Sequence, residues 1–159
     1  IKKLSLIFII ERLALNKNID INIALLNDDA IIPKKQHTSD IGYDIYSVKT
    51  YNILPNKVTR IETGISIELP EKYAGFILPR SGLATKHSIT SINSPGLVDP
   101  GYTGELIIPL INHSANTYNL KKGERFAQLV IINVENVSFN TVNELKKTER
   151  SNKGFGSTG

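Results

Sequence analysis

From position 59 to 69 the chain runs Thr-Arg-Ile-Glu-Thr-Gly-Ile-Ser-Ile-Glu-Leu, with odd positions mostly apolar and even positions mostly polar. Side chains on an extended strand point alternately to its two faces, so a period of two builds a half-buried β-strand and gives no stripe for a helix to bury. Further strands are predicted over 21–26, 43–48, 73–78, 106–111 and 126–134, most of them bounded by Gly, Pro, Asn or Asp. No helical period longer than about two turns appears between 20 and 142, which argues against a parallel sheet with crossover helices. Many short strands at this spacing predict an all-β domain, a β-barrel or jelly roll.

A chain of 159 residues has room for one domain with its own core. That domain is expected over 20–145, between an N-terminal extension (1–19) and a polar, basic, then glycine-rich tail (146–159) that reads as a mobile arm. Cysteine is absent, which excludes disulfides, thiolate metal sites and a cysteine nucleophile and fits a reducing compartment. The expected location is cytoplasmic, or nuclear or organellar in a eukaryote. The formal charge of +4 is scattered as pairs such as Lys34-Lys35, Lys121-Lys122 and Lys146-Lys147. Without a basic stripe, a small polyanion suits the chain better than nucleic acid. Lys2-Lys3 and the apolar run 4–10 faintly suggest a secretion signal, but Glu11-Arg12 ends the run and no small-residue cleavage site follows. The run is far below the roughly 20 residues that span a bilayer, so no membrane association is expected.

Three stretches carry chemistry. In Pro79-Arg80-Ser81-Gly82-Leu83-Ala84 an arginine fork, a hydroxyl and an unhindered glycine amide can surround phosphate oxygens, although such a sequence is also an ordinary turn. Over 96–105, Gly-Leu-Val-Asp-Pro-Gly-Tyr-Thr-Gly-Glu reads as a β-hairpin. There Asp99 could take a proton from water, Tyr102 could pack on a sugar and backbone groups could meet a base edge. The plain alternative is that Asp99 caps the turn. At the end of the arm, Gly154-Phe155-Gly156-Ser157-Thr158-Gly159 could turn amides and two hydroxyls toward an anion and stack Phe155 on a base, or could be a simple linker.

Taken in order, Gly42-Tyr43-Asp44, Arg80-Ser81-Gly82, 96–105, Gly123-Glu124-Arg125-Phe126-Ala127-Gln128-Leu129 and 154–159 resemble the five motifs of the trimeric dUTPase family. The resemblance covers roughly 20–159. It implies a jelly-roll-like β-barrel and a homotrimer with active sites at subunit interfaces and a swapped C-terminal arm. It also implies Mg²⁺-dependent hydrolysis of dUTP to dUMP and pyrophosphate, which lowers dUTP and supplies dUMP for dTMP synthesis.

By the same resemblance Asp99 is the general base that directs water at the α-phosphorus. Gln128 helps hold the α-phosphate and that water. Mg²⁺ is held by the substrate's phosphates and by waters, with Asp44 steadying those waters from outside. Arg80, Ser81 and Gly82 resemble the phosphate-binding turn, and Arg125 is structural or phosphate-facing. Asn93 and the backbone from Gly96 through Val98 to Tyr102 resemble the uracil reader, and Tyr102 the ring beneath the deoxyribose that excludes a 2′-hydroxyl. Arg150, Phe155, Gly156, Ser157 and Thr158 resemble the arm's γ-phosphate and base-stacking groups.

Two departures stand out. The family's arm usually reads Arg-Gly-any-Gly-Gly-Phe, where this chain has Arg150-Ser151-Asn152-Lys153-Gly154-Phe155, and Ile41 replaces the usual small residue before Gly42. The nearest rival reading is dCTP deaminase, which shares the fold. That family has a glutamate in the strand after the hairpin, where this chain has Pro109, and usually a second serine at the place of Gly82. A nucleotide-binding regulatory protein is the other alternative. His37, His87 and His113 lie too far apart to suggest a metal site and are expected in surface or turn roles.

Overall fold

The computed structural model describes residues 18–149 and 151. Along the chain come β1 (Asn22–Leu25), β2 (Tyr43–Tyr46), β3 (Tyr51–Ile53), β4 (Val58–Glu68) and β5 (Tyr73–Pro79). A helix α1 (Ser81–His87) and β6 (Ile89–Ser91), β7 (Gly96–Val98), β8 (Glu105–Asn112), β9 (Tyr118–Leu120) and β10 (Arg125–Asn133) follow. Two four-stranded sheets, ordered β1-β4-β8-β6 and β2-β10-β5-β7, and a two-stranded β3-β9 ribbon make up the architecture. Every strand pair is antiparallel, as expected of an all-β, jelly-roll-like domain.

The core lies between the sheets, where alternate residues of each strand point inward. Along β8 burial alternates without a break, placing Leu106, Ile108 and Leu110 against Ile61, Ile65, Ile77 and Phe126. Each such fully buried side chain contributes about 1.5–3 kcal/mol of transfer free energy. On β4 the alternation fails midway, because the pairing with β8 shifts register between Glu62 and Ser66. At the shift Gly64 takes φ +65°, and a β carbon there would lie 2.7 Å from Asn27 Nδ2 and 2.9 Å from Val48 Cγ1. Glycine alone fits. The bulge also buries polar groups, which are satisfied: Thr63 Oγ1 donates to the carbonyl of Leu106 at 2.7 Å and Ser66 Oγ to that of Thr103.

Two local expectations are corrected. The stretch 96–105 is not a hairpin, because β7 pairs only with β5 while β8 pairs with β4 and β6, so the loop between them passes from one sheet to the other. The segment after Arg80 is not a plain turn but a seven-residue helix, anchored by buried Leu83. The strands β3, β6, β7 and β9 are three residues each, too short for a period of two to show. Past β10, residues 135–149 carry no strand or helix and expose Val137, Phe139 and Leu145.

Candidate active site

The predicted site residues fall into two groups. The first sits where β2, β10 and the start of α1 converge. Asp44 on β2 is the register partner of Gln128 on β10, which on its other side faces Leu78 of β5. The Asp44 carboxylate is buried, with Oδ1 3.1 Å from Arg80 Nε and Oδ2 2.9 Å from Arg125 Nη1. Arg80 also donates from Nη1 to the carbonyl of Arg125 at 2.9 Å. Both guanidinium groups are thereby oriented rather than left to wander. Arg80 is the extended residue that precedes α1, so the amides of Ser81 and Gly82 stand ahead of the first intrahelical bond. A β carbon on Gly82 would meet nothing within 4 Å, which leaves that amide open to approach.

Gln128 donates from Nε2 to the carbonyl of Pro79 at 3.2 Å. Its oxygen lies over Gly42, where a β carbon would come within 2.5 Å of Oε1. Gly42 is therefore the space that Gln128 occupies. Ile41, next to it, is 71% exposed and lines a different concavity from Asp44. Arg80, Ser81, Gly82, Asp44 and Gln128 line one concavity of about 330 Å³ together with Gln36, His37, Asp40 and Arg125. Sequence reasoning missed Gln36, His37 and Asp40, whose loop carries no motif; Asp40 Oδ2 accepts the N–H of His37 at 2.8 Å and so shapes the rim.

The second group surrounds a slot of about 200 Å³ between the two sheets, lined by Asn93, Gly96, Val98, Asp99 and Tyr102 and walled by β8 from Glu105 to Pro109. One edge of β7 has no partner strand, so its peptide groups on that side are available to a base edge. Asn93 is held over the slot by Ser91, whose hydroxyl donates to Asn93 Oδ1 at 2.8 Å. The carbonyl of Asp99 accepts the N–H of Tyr102 at 3.0 Å, while the exposed Asp99 carboxylate has no hydrogen-bond partner among the described residues. The turn is closed by backbone, and the side chain is left for other work. Pro109 lines the same slot.

The two groups share no lining residue. A larger concavity of about 650 Å³ lies elsewhere, lined chiefly by aliphatic side chains such as Ile19, Ile21, Ile32, Ile41 and Ile131, and it has no catalytic cluster. Arg150, Phe155, Gly156, Ser157 and Thr158 lie outside the described residues. Among the described residues no three His, Cys, Asp or Glu side chains come together as a metal site, and no helix is long and apolar enough to cross a membrane. His87 packs against Tyr118 with ring centroids 4.8 Å apart and planes tilted by 50°. Burial, reinforced by the hydrogen bond to Glu124, pushes the Tyr118 phenol far above its ordinary range.

A model of the dUTPase family matches residues 28–159. The deoxyuridine 5'-triphosphate nucleotidohydrolase of Clostridioides difficile is 45% identical over 140 residues, covering 88% of this chain and 98% of that protein. Its counterpart in Crocosphaera subtropica is 46% identical over 139 residues, 87% of this chain and 98% of that protein. Among solved structures, the G164S mutant of the Staphylococcus bacteriophage 80alpha dUTPase with dUpNHpp superposes with a TM-score of 0.82 at 30% identity, over 88% of this chain and 98% of that one. A mutant dUTPase from phage phi11 of S. aureus, described with a structural Mg(II) ion, gives a TM-score of 0.75 at 27% identity, over 80% and 99% of the two chains.

Proposed function

Since the chain belongs to the dUTPase family, we propose that it hydrolyses dUTP to dUMP and pyrophosphate at a site assembled from two copies of itself. One observation carries this: the phosphate-facing group around Arg80 and the base-facing group around Asp99 line separate concavities with no residue in common. A nucleotide triphosphate needs both at once, and a neighbouring copy supplies the missing half. In a closed ring of three each interface then holds one complete site. The apolar concavity around Ile41 and the exposed side chains of Val137, Phe139 and Leu145 are the kind of surface such contacts cover. The tail from 146 acts as an arm over a neighbour's site.

In the slot, uracil meets the unpaired edge of β7 and the Asn93 side chain, and a cytosine there would leave donors and acceptors unpaired at about 1–3 kcal/mol each. The Asp99 carboxylate, bound to nothing else among the described residues, takes a proton from a water as its oxygen bonds to the α-phosphorus. The bond from that phosphorus to the bridging oxygen breaks, and pyrophosphate leaves with the electron pair. Arg80, with the Ser81 and Gly82 amides, holds phosphate oxygens, and Gln128 orients the α-phosphate region.

The donor set around Asp44 fits Mg²⁺ carried in by its substrate rather than caged by protein. Two arginines face two carboxylates there, so the chain alone does not offset a triphosphate's charge. The ion, when bound, supplies that neutralisation, and Asp44 with Asp40 would accept from its waters. Pro109 in the slot provides no proton shuttle, which favours hydrolysis over deamination. The absence of cysteine fits action in a reducing, cytoplasmic setting.

The deciding assay incubates the full chain with Mg²⁺ and dUTP, dCTP, dTTP or UTP separately, and measures pyrophosphate and ammonia. Pyrophosphate from dUTP alone is the expected result. Ammonia from dCTP would replace this reading with the deaminase, and binding without any product would point to a regulatory role.

A further inference from the structure

Tyr102 folds back on its own chain. Its hydroxyl donates to the carbonyl of Glu105 at 2.8 Å, and the ring in between rests on Gly104. A β carbon at 104 would stand 2.8 Å from Tyr102 Oη, 2.9 Å from Cζ and 3.1 Å from Cε2. Non-bonded carbons settle at about 3.5–4.0 Å, so no side chain fits at 104 while the ring lies there. Backbone freedom is not why this position is glycine, since Gly104 is not among the residues with positive φ. By contrast, Gly101 in the same loop would carry a β carbon with nothing within 4 Å.

The platform beneath the ring is fixed from the bulge of β4. Glu105 Oε1 accepts the N–H of Gly64 at 2.8 Å, and the Ser66 hydroxyl donates to the carbonyl of Thr103. The bulge thus holds the residues on both sides of Gly104, and Gly104 in turn sets how closely the ring approaches the chain. Tyr102 lines the slot, so a displaced ring changes the slot's shape.

We propose that Gly104 is a specificity-determining residue that acts through Tyr102, its missing side chain allowing the ring to lie where it leaves no space for a 2′-hydroxyl. This rests on the reading of the slot as a dUTP site. An alanine at 104 collides with the far end of a side chain that is 48% exposed, which can swing outward with little cost to the fold. The ring's place is what is lost.

The test measures kcat/KM for dUTP and for UTP, with Mg²⁺, in the wild type, Gly104→Ala, Tyr102→Ala and the double variant, together with their melting temperatures. Gly104→Ala is expected to lower the dUTP-to-UTP ratio by about tenfold or more while melting within about 2 °C of the wild type. Added to Tyr102→Ala, it is expected to lower the ratio no further, because the ring it displaces is gone. Tyr102→Phe, which keeps the ring and loses only the hydroxyl, is expected to fall between wild type and Gly104→Ala. The proposal is overturned if Gly104→Ala retains the wild-type ratio, if it melts well below the wild type, or if it lowers the ratio equally in both backgrounds. A wild type that turns over no dUTP sinks the functional reading itself and this inference with it, an outcome distinct from normal turnover with an unchanged ratio.

Discussion

Asp44 Oδ2 lies 2.9 Å from Nη1 of Arg125, joining two residues 81 positions apart in the chain. The other oxygen of the same carboxylate takes Arg80. One buried anion therefore sets the direction of both guanidinium groups.

Asp44→Asn keeps the shape and removes the charge, leaving two partly buried guanidinium groups without their counter-ion. Since Arg80 and Arg125 keep 28% and 37% of their side-chain surface exposed, solvent offsets part of the loss. The expected destabilisation is about 1–3 kcal/mol, accompanied by a rise in the Mg²⁺ concentration needed for half-maximal activity. Urea unfolding at one fixed protein concentration and a Mg²⁺ titration of activity measure the two effects. Wild-type stability in Asp44→Asn would mean that the carboxylate does not organise the arginines.

Asp99→Asn and Arg80→Ala each disable one half-site, and each is expected to be inactive alone while remaining folded. Unfolded together and refolded as a 1:1 mixture, they should regain activity. Random assembly of a ring places an intact half of each kind at about a quarter of the interfaces. Pyrophosphate release by the mixture is the measurement. A mixture as inactive as its components would mean that both halves of a site come from one chain.

Ser88 ends α1 with φ 56° and ψ 34°, the left-handed region that disfavours any residue with a β carbon. Its backbone is committed, since its N–H donates to Ala84 at 3.1 Å and its carbonyl accepts His113 N–H at 2.9 Å. Ser88→Gly is expected to stabilise the protein by about 0.5–1 kcal/mol, read as a higher urea midpoint with unchanged slope. A lower midpoint would show that the serine side chain does something the backbone geometry does not reveal.

The Tyr118 hydroxyl donates to Glu124 Oε1 at 2.5 Å. Burial is the first cause of its raised pKa, ahead of the bond to and charge of Glu124, while Arg80 pulls the other way. Below the ordinary phenol value of about 10 both folded and unfolded chains keep this proton. Above it the unfolded chain releases the proton and the folded one holds it, so stability falls as pH rises from about 10 toward the folded value. Tyr118→Phe should make that fall shallower. Denaturation midpoints at pH 9, 10 and 11 would show it, and identical pH dependence in the two proteins would contradict it.

Much of the architecture could be read from residues in a row. The alternation from 59 to 69 identified the long strand β4, and the apolar runs ending at Gly, Pro and Asn located β1, β2, β5, β8 and β10 to within a few residues. The motifs, read in order, pointed to the family whose model matches residues 28–159, because Arg-Ser-Gly and Asp-Pro-Gly-Tyr bring their own donors and acceptors wherever they are placed. The break in burial along β4 was not legible, since Gly64 marks a bulge only when Asn27 and Val48 crowd the space a side chain would fill.

Alone, then, the order of residues determined which strands can form and which donors, acceptors and charges each motif carries, since periodicity and functional groups are properties of a chain segment. Tertiary structure decided that 96–105 crosses between sheets instead of folding as a hairpin, that Arg80 and Arg125 share Asp44, and that the groups around Arg80 and Asp99 line different concavities. Those are relationships between segments tens of residues apart, set by which strand edges pair and which stay open, and no local pattern encodes them.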